Sequence, residues 1–211
     1  MGYILIIIQY LGLGLAALLQ TAKRKLREAF LGAIKLKGIT VWNNLNYHNG
    51  HSWTFAEERG LLRMGMDDFA SRLIGDIDMI HLPNPDERIN KGTAVAKIIT
   101  GKHKVKLISP FSGRAAAINT ALVRDPQRLS RDPYGAGWIT KIELDGTEEN
   151  QKGYKGDGAA KWMLRELDRL HHFLISEVGL TYADGGEISP KEIKNLEEDK
   201  WEVLIREFLN N

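Results

Sequence analysis

The hydrophobic and polar positions divide the chain into an apolar start, a middle of short alternating runs and an end with helical spacing. Residues 3–22 carry no charged side chain. A helix of that length spans about 30 Å, the thickness of a bilayer's hydrocarbon core. Residues 1–22 are therefore predicted to be a membrane-anchor helix, with a helix buried in the protein or in an oligomer as the alternative. A signal peptide is disfavoured because no basic segment precedes the apolar run.

A basic segment follows the apolar one, with Glu28 as its single acid. Its cations are Lys23, Arg24, Lys25, Arg27, Lys35 and Lys37. By the positive-inside rule, these cations predict that the rest of the chain lies on the cytoplasmic side. Apolar residues also recur there at helical spacing, at Leu26, Phe30, Ala33 and Ile34. Residues 23–45 are therefore predicted to form a basic juxtamembrane helix on the membrane surface, or a solvated linker helix.

Short strand-like runs bounded by turn residues fill residues 46–146 and predict a mainly β domain. Residues 94–100 and 103–109 are two such runs, rich in Val, Ile and Leu. Between them, Gly101 occupies the first central position of a two-residue turn, where a type II′ turn requires positive φ. The pattern predicts a β-hairpin with Lys102 exposed at its tip.

Helical spacing returns after a polar, glycine-containing linker at residues 147–158, and predicts a helical extension over residues 159–211. The first helix, residues 159–178, is predicted to end at Gly179, and the second to begin at a capping box that starts with Ser189. The apolar faces are Met163, Leu167, Leu170, Leu174 and Val178 on the first helix, and Trp201, Leu204, Ile205 and Phe208 on the second.

Composition excludes several classes of chemistry. The chain has no cysteine, so disulfides, thiolate catalysis and cysteine-based metal sites are absent. A net charge of +2, and a basic run at residues 101–106 without interleaved aromatics, give no support for a nucleic-acid partner. The sequence lacks a phosphate-binding loop, a nucleophile elbow and a zinc-protease motif. We predict no catalytic residues, and therefore a protein that is not an enzyme.

One group of potential metal ligands is close in sequence and consists of His171, His172, Asp184 and Glu187. Adjacent histidines on a helix point about 100° apart, and the two acids lie in a glycine-rich turn. His171 also falls on the apolar stripe, so we predict a core or interface histidine there and no metal site. His48 and His51 are interpreted as structural.

Several motifs occur in a fixed order around the hairpin. Lys102 lies ten residues after Gly92 and eight before Pro110, and Gly113 follows. The flanking motifs are His51-Ser-Trp53, Met66-Asp-Asp-Phe-Ala70, Leu82-Pro83, Asn119-Thr-Ala-Leu122 and Asp132-Pro-Tyr-Gly-Ala-Gly-Trp138. This succession resembles the glycine cleavage H-protein family, and Lys102 falls at the position of its lipoylated lysine.

The resemblance implies a barrel-sandwich hybrid over residues 46–146, here flanked by an N-terminal hydrophobic helix and C-terminal helices. Within it, Asp67 or Asp68 is predicted to cap a short helix that Gly75 ends. The hairpin departs from the family at Ile99, where the family has a glutamate that lipoylating enzymes read. Its other departure is a basic surround made by Lys97, Lys104 and Lys106.

Two functions are open from the sequence. The first is a membrane-tethered carrier with lipoate on Lys102, which shuttles groups or electrons between partner enzymes. Those partners would be the decarboxylase, aminomethyltransferase and dihydrolipoyl dehydrogenase of glycine cleavage, or a membrane redox complex. The second is a non-lipoylated scaffold subunit of a membrane-associated complex, whose C-terminal helices bind a partner through Trp162 and Trp201. Both hypotheses place membrane lipid around residues 3–22.

Overall fold

A computed structural model describes residues 32–146, 153–177, 179, 193 and 196–209. The strands are β1 Ala33–Leu36, β2 Ile39–Trp42, β3 Asn46–His48, β4 Ser52–Ala56, β5 Leu61–Met66, β6 Met79–His81, β7 Arg88–Ile89, β8 Ala94–Thr100, β9 His103–Ile108, β10 Gly113–Ile118 and β11 Thr140–Leu144. The helices are α1 Asp68–Ile74, α2 Ala121–Arg124, α3 Arg128–Arg131, α4 Asp157–Ser176 and α5 Glu198–Phe208, and one 3₁₀ turn spans Glu58–Gly60.

The strands form three antiparallel sheets. Strands β1 and β2 form a hairpin, β6, β8 and β9 form a three-stranded sheet, and the largest sheet has the order β3-β4-β5-β11-β10-β7. The predicted mainly β domain is therefore confirmed, and these sheets are consistent with a barrel-sandwich hybrid. One apolar cluster joins the sheets to α4 and α5, so the C-terminal helices share the core of the β domain.

Trp53 lies at the centre of this core. Its side chain is fully buried, and its indole Nε1 donates to the carbonyls of Met66 at 3.0 Å and Pro133 at 3.2 Å. The ring lies against Gly65 on the neighbouring strand, where a Cβ atom would be 2.6 Å from the tryptophan ring. A buried indole must keep its hydrogen bond, so Trp53 fixes β4 against β5 and the loop before β11.

Helix α1 has the termini that the sequence predicts. The Asp67 carboxylate accepts from the backbone N–H of Ala70 at 2.8 Å, and Gly75 follows the helix at φ 78°. The Gly75 N–H donates to the Ser71 carbonyl at 3.1 Å. Asp67 is thus the N-cap, and a glycine is favoured where the helix ends because it adopts positive φ without strain.

The helix predicted over residues 23–45 is wrong for residues 33–42, which form the β1–β2 hairpin. Lys37 and Gly38 make its turn with φ of 44° and 86°, the two positive values that a type I′ turn requires. The Thr40 N–H donates to Asp68 at 2.7 Å, and the Tyr134 hydroxyl donates to the Thr40 carbonyl at 2.7 Å. These bonds fix the hairpin on α1 and on the loop before β11. Residues 1–31, including the predicted membrane anchor, lie outside the described residues.

The predicted linker at residues 147–158 is wrong at its C-terminal end. Tyr154 and Tyr47 exchange two backbone hydrogen bonds of 2.8 Å, which form an antiparallel bridge. Gly153 lies so close to this strand that a Cβ atom would be 2.5 Å from Asn46 Oδ1. Helix α4 then begins at Asp157, and Tyr154 stacks on Trp162 with ring centroids 5.0 Å apart. Residues 147–152 are not described.

Within the described residues, the C-terminal helices bury the faces that their spacing predicts, and Val178 of the first face lies outside those residues. Helix α4 begins and ends two residues before the predicted 159–178, and α5 lies within the predicted second helix, whose predicted start at Ser189 is outside the described residues. The buried positions include Met163, Leu167, Leu170, Leu174, Trp201, Leu204, Ile205 and Phe208. The predicted partner contacts of Trp162 and Trp201 are wrong, because both side chains are buried within this chain.

Across the described ranges, no helix combines the length and the apolar composition needed to cross a bilayer.

Candidate functional site

The lysine hairpin, made of β8, β9 and the turn residues Gly101 and Lys102, has the predicted geometry. Thr100 pairs with His103, so the turn has two residues, and Gly101 has a φ of 55°. Lys102 is not among the described residues with positive φ, which distinguishes a type II′ turn from type I′. The Lys102 side chain is 70% exposed, so its amine is presented at the tip.

The tip is held from one side by the residue that precedes β6. The Asp78 carboxylate accepts from the Gly101 N–H at 2.6 Å. The Asp78 N–H in turn donates to the Ile99 carbonyl at 2.8 Å. A charge-assisted bond to the turn amide restrains the backbone next to Lys102, so the lysine is a flexible side chain on a fixed base.

Helix α5 contacts the tip from the other side. Glu198, its first residue, pairs with the Lys102 ammonium through Oε2, and its Oε1 lies 3.1 Å from His103 Nδ1. One turn further, Trp201 stacks on the His103 ring with centroids 4.5 Å apart and planes at 27°. The hydrogen bond from Lys102 holds the pKa of the Glu198 carboxyl below its usual range. The carboxylate of Glu198 is therefore ionised when it contacts the lysine.

The outer face of the β6-β8-β9 sheet is basic. Lys97 pairs across strands with Lys106, and Ile99 pairs with Lys104. All three lysines are exposed, and Ile99 is half-buried. Within the described ranges, no carboxylate forms an ion pair with any of these lysines. Like charges directly opposite each other in a sheet repel, so this face carries an uncompensated positive charge beside Lys102.

A second ionic group lies where α4 packs on the β domain. His51 Nδ1 is 2.8 Å from Asp67 Oδ2, and Nε2 is 3.8 Å from Glu166 Oε2. Phe69 stacks on the imidazole at 4.2 Å, the tilted ring of Trp162 lies 4.9 Å away, and the side chain of His51 is 1% exposed. Burial opposes the charged form of His51, but the charge and hydrogen bond of Asp67, followed by those of Glu166, raise its pKa to about 9.

His51 was interpreted from the sequence as structural, and the structure adds an ionic role that sequence reasoning missed. Glu166 belongs to α4, and its second partner is Arg169, whose Nη1 donates to it at 2.7 Å. The sequence signal for this cluster was a glutamate on the apolar stripe of α4, between Met163 and Leu167. A charged residue at such a position needs a buried partner.

The comparison with known families decides what this domain is. The family model described as "Glycine cleavage H-protein" matches residues 45–166, from the loop before β3 to Glu166 within α4. The chain belongs to the glycine cleavage H-protein family. The match ends within α4, so α5 and its contacts with Lys102 lie beyond the matched region.

The sequences of two individual H proteins agree with this assignment. The chain is 34% identical over 106 residues to the glycine cleavage system H protein of Xylella fastidiosa strain 9a5c, covering 50% of this chain and 81% of that protein. It is 32% identical over 114 residues to the H protein of Coxiella burnetii strain Dugway 5J108-111, covering 54% and 88%. A crystal structure of an H protein from Mycobacterium marinum has 29% identity and a TM-score of 0.47, covering 50% of this chain and 87% of that one.

Lys102 is the attachment point that the sequence predicts for a lipoyl group, and its surroundings can be compared with what that group needs. The site needs an exposed primary amine on a fixed turn, and the geometry of the tip provides both. The residues at the tip therefore fit a lipoyl group. One feature stands apart from this fit, because the Glu198 carboxylate already contacts the Lys102 amine.

The group at His171 and His172 does not form a core contact. Both side chains are exposed on α4, so the predicted core position of His171 is wrong, and the alternative of an interface position stays a prediction. Their rings are 6.1 Å apart and nearly perpendicular, and His172 Nδ1 lies 2.7 Å from the Asp168 carbonyl. Asp184 and Glu187 lie outside the described residues. Among the residues that are described, no group of three or more side chains could hold a metal ion.

Proposed function

We propose that this H-protein family member is a lipoate carrier with its attachment site at Lys102. The observation that carries the proposal is the exposed amine of Lys102 at the tip of a type II′ hairpin, in a domain of this family. A bound lipoyl group would supply a dithiolane that accepts and passes on acyl, aminomethyl or sulfur-containing groups, or electrons. The protein would supply a fixed base and a docking surface.

The hairpin residues have separate tasks in this proposal. Asp78 restrains the turn backbone through Gly101, so that motion is confined to the side chain of Lys102. The paired strands β8 and β9 hold the tip in a fixed position relative to the sheet. Confining the motion to one long side chain raises the effective concentration of the carried group at partner sites within its reach.

Two sets of partner enzymes fit this carrier. The first is the glycine-cleavage set of decarboxylase, aminomethyltransferase and dihydrolipoyl dehydrogenase. The second is a membrane-associated redox complex. Two departures from the family favour it: Ile99 stands where the family has a glutamate, and the outer face of the sheet is basic. Opposite charges steer protein partners towards each other, so an enzyme that docks on Lys97, Lys104 and Lys106 would present an acidic surface.

We propose that residues 3–22 anchor the protein in a membrane, with the β domain on the cytoplasmic side. The support is the uncharged stretch and the basic cluster after it. We expect full recovery of the protein in the membrane pellet after a high-salt wash, and release by detergent alone. Release by salt would contradict the anchor and favour a first helix that is buried in a soluble oligomer.

A second candidate function is a scaffold in which Lys102 is not modified. The observation that favours it is the ion pair of Lys102 with Glu198, together with the stack of His103 on Trp201. In that case the lysine would serve to hold α5 on the hairpin, and the loss of the family glutamate at Ile99 would carry no cost.

The experiment that separates the two functions is intact mass and peptide mapping of the protein from its native host. We expect the peptide covering residues 97–114 to carry one lipoyl group on Lys102, because that amine is the exposed one at the tip. The matched control is Lys102→Arg, which keeps the positive charge opposite Glu198 but offers no acylatable amine. The carrier requires lysine, so the arginine variant would lose the adduct and the carrier activity while retaining the fold.

An unmodified Lys102 in cells that lipoylate their other carriers would contradict the carrier function. Full function of the Lys102→Arg variant in the host would do the same, because a scaffold needs only the charge.

A further inference from the structure

The N-terminal turn of α5 contacts the part of the hairpin that a modifying enzyme must reach, and leaves the Lys102 side chain 70% exposed. Glu198 contacts the Lys102 amine and the His103 ring at once, and Trp201 covers the other face of that ring. His103 retains only 15% exposure of its side chain. The family match ends before α5. The contact is therefore made by a helix outside the part of the chain that matches the family.

Helix α5 is held differently at its two ends. Near its C-terminal end, Phe208 packs 5.9 Å from Phe69 and 6.0 Å from Phe173, and Arg169 donates to the Glu207 carbonyl at 3.3 Å. At its N-terminal end, Glu198 keeps 47% of its side chain exposed. The C-terminal end is docked by buried aromatic packing, whereas the N-terminal end combines the buried Trp201 with the exposed ion pair of Glu198, which depends on the charge of the hairpin.

We propose that the N-terminal turn of α5 is a cap on the lysine hairpin, which docks beside unmodified Lys102 and undocks when Lys102 is acylated. The cap rests on the proposed function, in that Lys102 is the site of acylation. In the docked state, the Glu198 carboxylate is paired with the Lys102 amine. In the acylated state, the charge that Glu198 contacts is gone.

Acylation changes the charge of the group that Glu198 contacts. The Lys102 Nζ forms a bond to the carbonyl carbon of an activated lipoyl donor, the bond from that carbon to the donor's leaving group breaks, and the ammonium releases two protons. The product is a neutral amide. Coupling between two equilibria is reciprocal, so if acylation weakens the hold of Glu198, then Glu198 also opposes acylation. The cap therefore distinguishes loaded from unloaded protein.

The first test measures the reactivity of the amine in the full chain, without any lipoylating enzyme. A brief pulse of acetyl N-hydroxysuccinimide ester, followed by peptide mapping, gives the acetylation rate of each lysine. We expect Glu198→Gln to raise the rate at Lys102 about threefold, the size expected for loss of an exposed ion pair. Lys91, exposed in the turn before β8, is the internal control and should not change. Equal rates at Lys102 in the parent and the variant would overturn the cap.

The second test measures the helix itself by hydrogen exchange of the full chain. Acetyl-lysine incorporated at position 102 should speed amide exchange in the N-terminal turns of α5 at least several-fold, and should leave α1 unchanged. Lys102→Arg keeps the charge and should exchange like the parent. Identical exchange with lysine and acetyl-lysine would overturn the cap. Neither test uses lipoate, so their results do not depend on lipoylation in the host. An unmodified Lys102 in the host would contradict the carrier function without changing the outcome of either test.

Discussion

Replacing His51 by Asn is expected to lower the free energy of unfolding by about 3 kcal/mol, because it leaves two buried carboxylates without their shared cation. Asp67 and Glu166 flank the imidazole within 2.8 Å and 3.8 Å. Asn is the appropriate substitution because His51 has a φ of 59°, which Asn tolerates better than most residues. Urea denaturation at pH 6, followed by tryptophan fluorescence, measures the difference.

The loss should also depend on pH with a defined sign. The pKa of His51 is raised from 6.5 to about 9 in the folded protein. A raised pKa stabilises the fold fully below the unfolded value and loses that contribution as pH rises through the folded value. The stability difference between parent and His51→Asn should therefore be largest below pH 6.5 and should shrink towards pH 9.

His172→Asn is the matched control for this prediction, since His172 is an exposed histidine on the same helix as Glu166. It should leave both the unfolding free energy and its pH dependence unchanged. A His51→Asn variant as stable as the parent at pH 6 would show that the imidazole is neutral and that α4 is held by its apolar face alone.

Features that depend on neighbouring residues could be predicted from the sequence. The lysine hairpin follows from Gly101 between two β-branched runs, and α1 follows from Asp67 before it and Gly75 after it. In both cases the deciding hydrogen bonds and φ values belong to residues within one turn of each other. The apolar face of α4 could be predicted for the same reason, because helical spacing alone determines which side chains share a face.

Features that depend on distant partners could not be predicted. The spacing of Ala33 and Ile34 favoured a helix, yet Lys37 and Gly38 reverse the chain and Tyr134 anchors the resulting strand. Glu198 likewise has nothing in its own surroundings in the sequence that indicates Lys102. The fold of the β domain could therefore be predicted from the sequence, whereas the contact of α5 with its candidate site could not, because that contact is set by tertiary packing.

Replacing Gly113 by Ala is expected to lower the free energy of unfolding by about 3 kcal/mol through steric overlap. Gly113 begins β10, between β7 and β11, and pairs with Ile89 on one side and Leu144 on the other. A Cβ atom there would lie 2.3 Å from the Glu143 carbonyl oxygen. Because strands on both sides fix the backbone, the added Cβ and the Glu143 carbonyl oxygen cannot move apart. The melting temperature should therefore fall by roughly 9 °C.

Gly158→Ala in the first turn of α4 is the control for this substitution. No atom lies within 4 Å of a Cβ built at Gly158, and its φ is not positive, so the added methyl meets neither overlap nor backbone strain. Alanine also favours helix over glycine, so this variant should be as stable as the parent or up to about 1 kcal/mol more stable. Scanning calorimetry on both variants separates the two effects. A Gly113→Ala variant that melts with the parent would mean that β10 shifts away from β11, and the β9–β10 connection at the base of the lysine hairpin would then be adjustable.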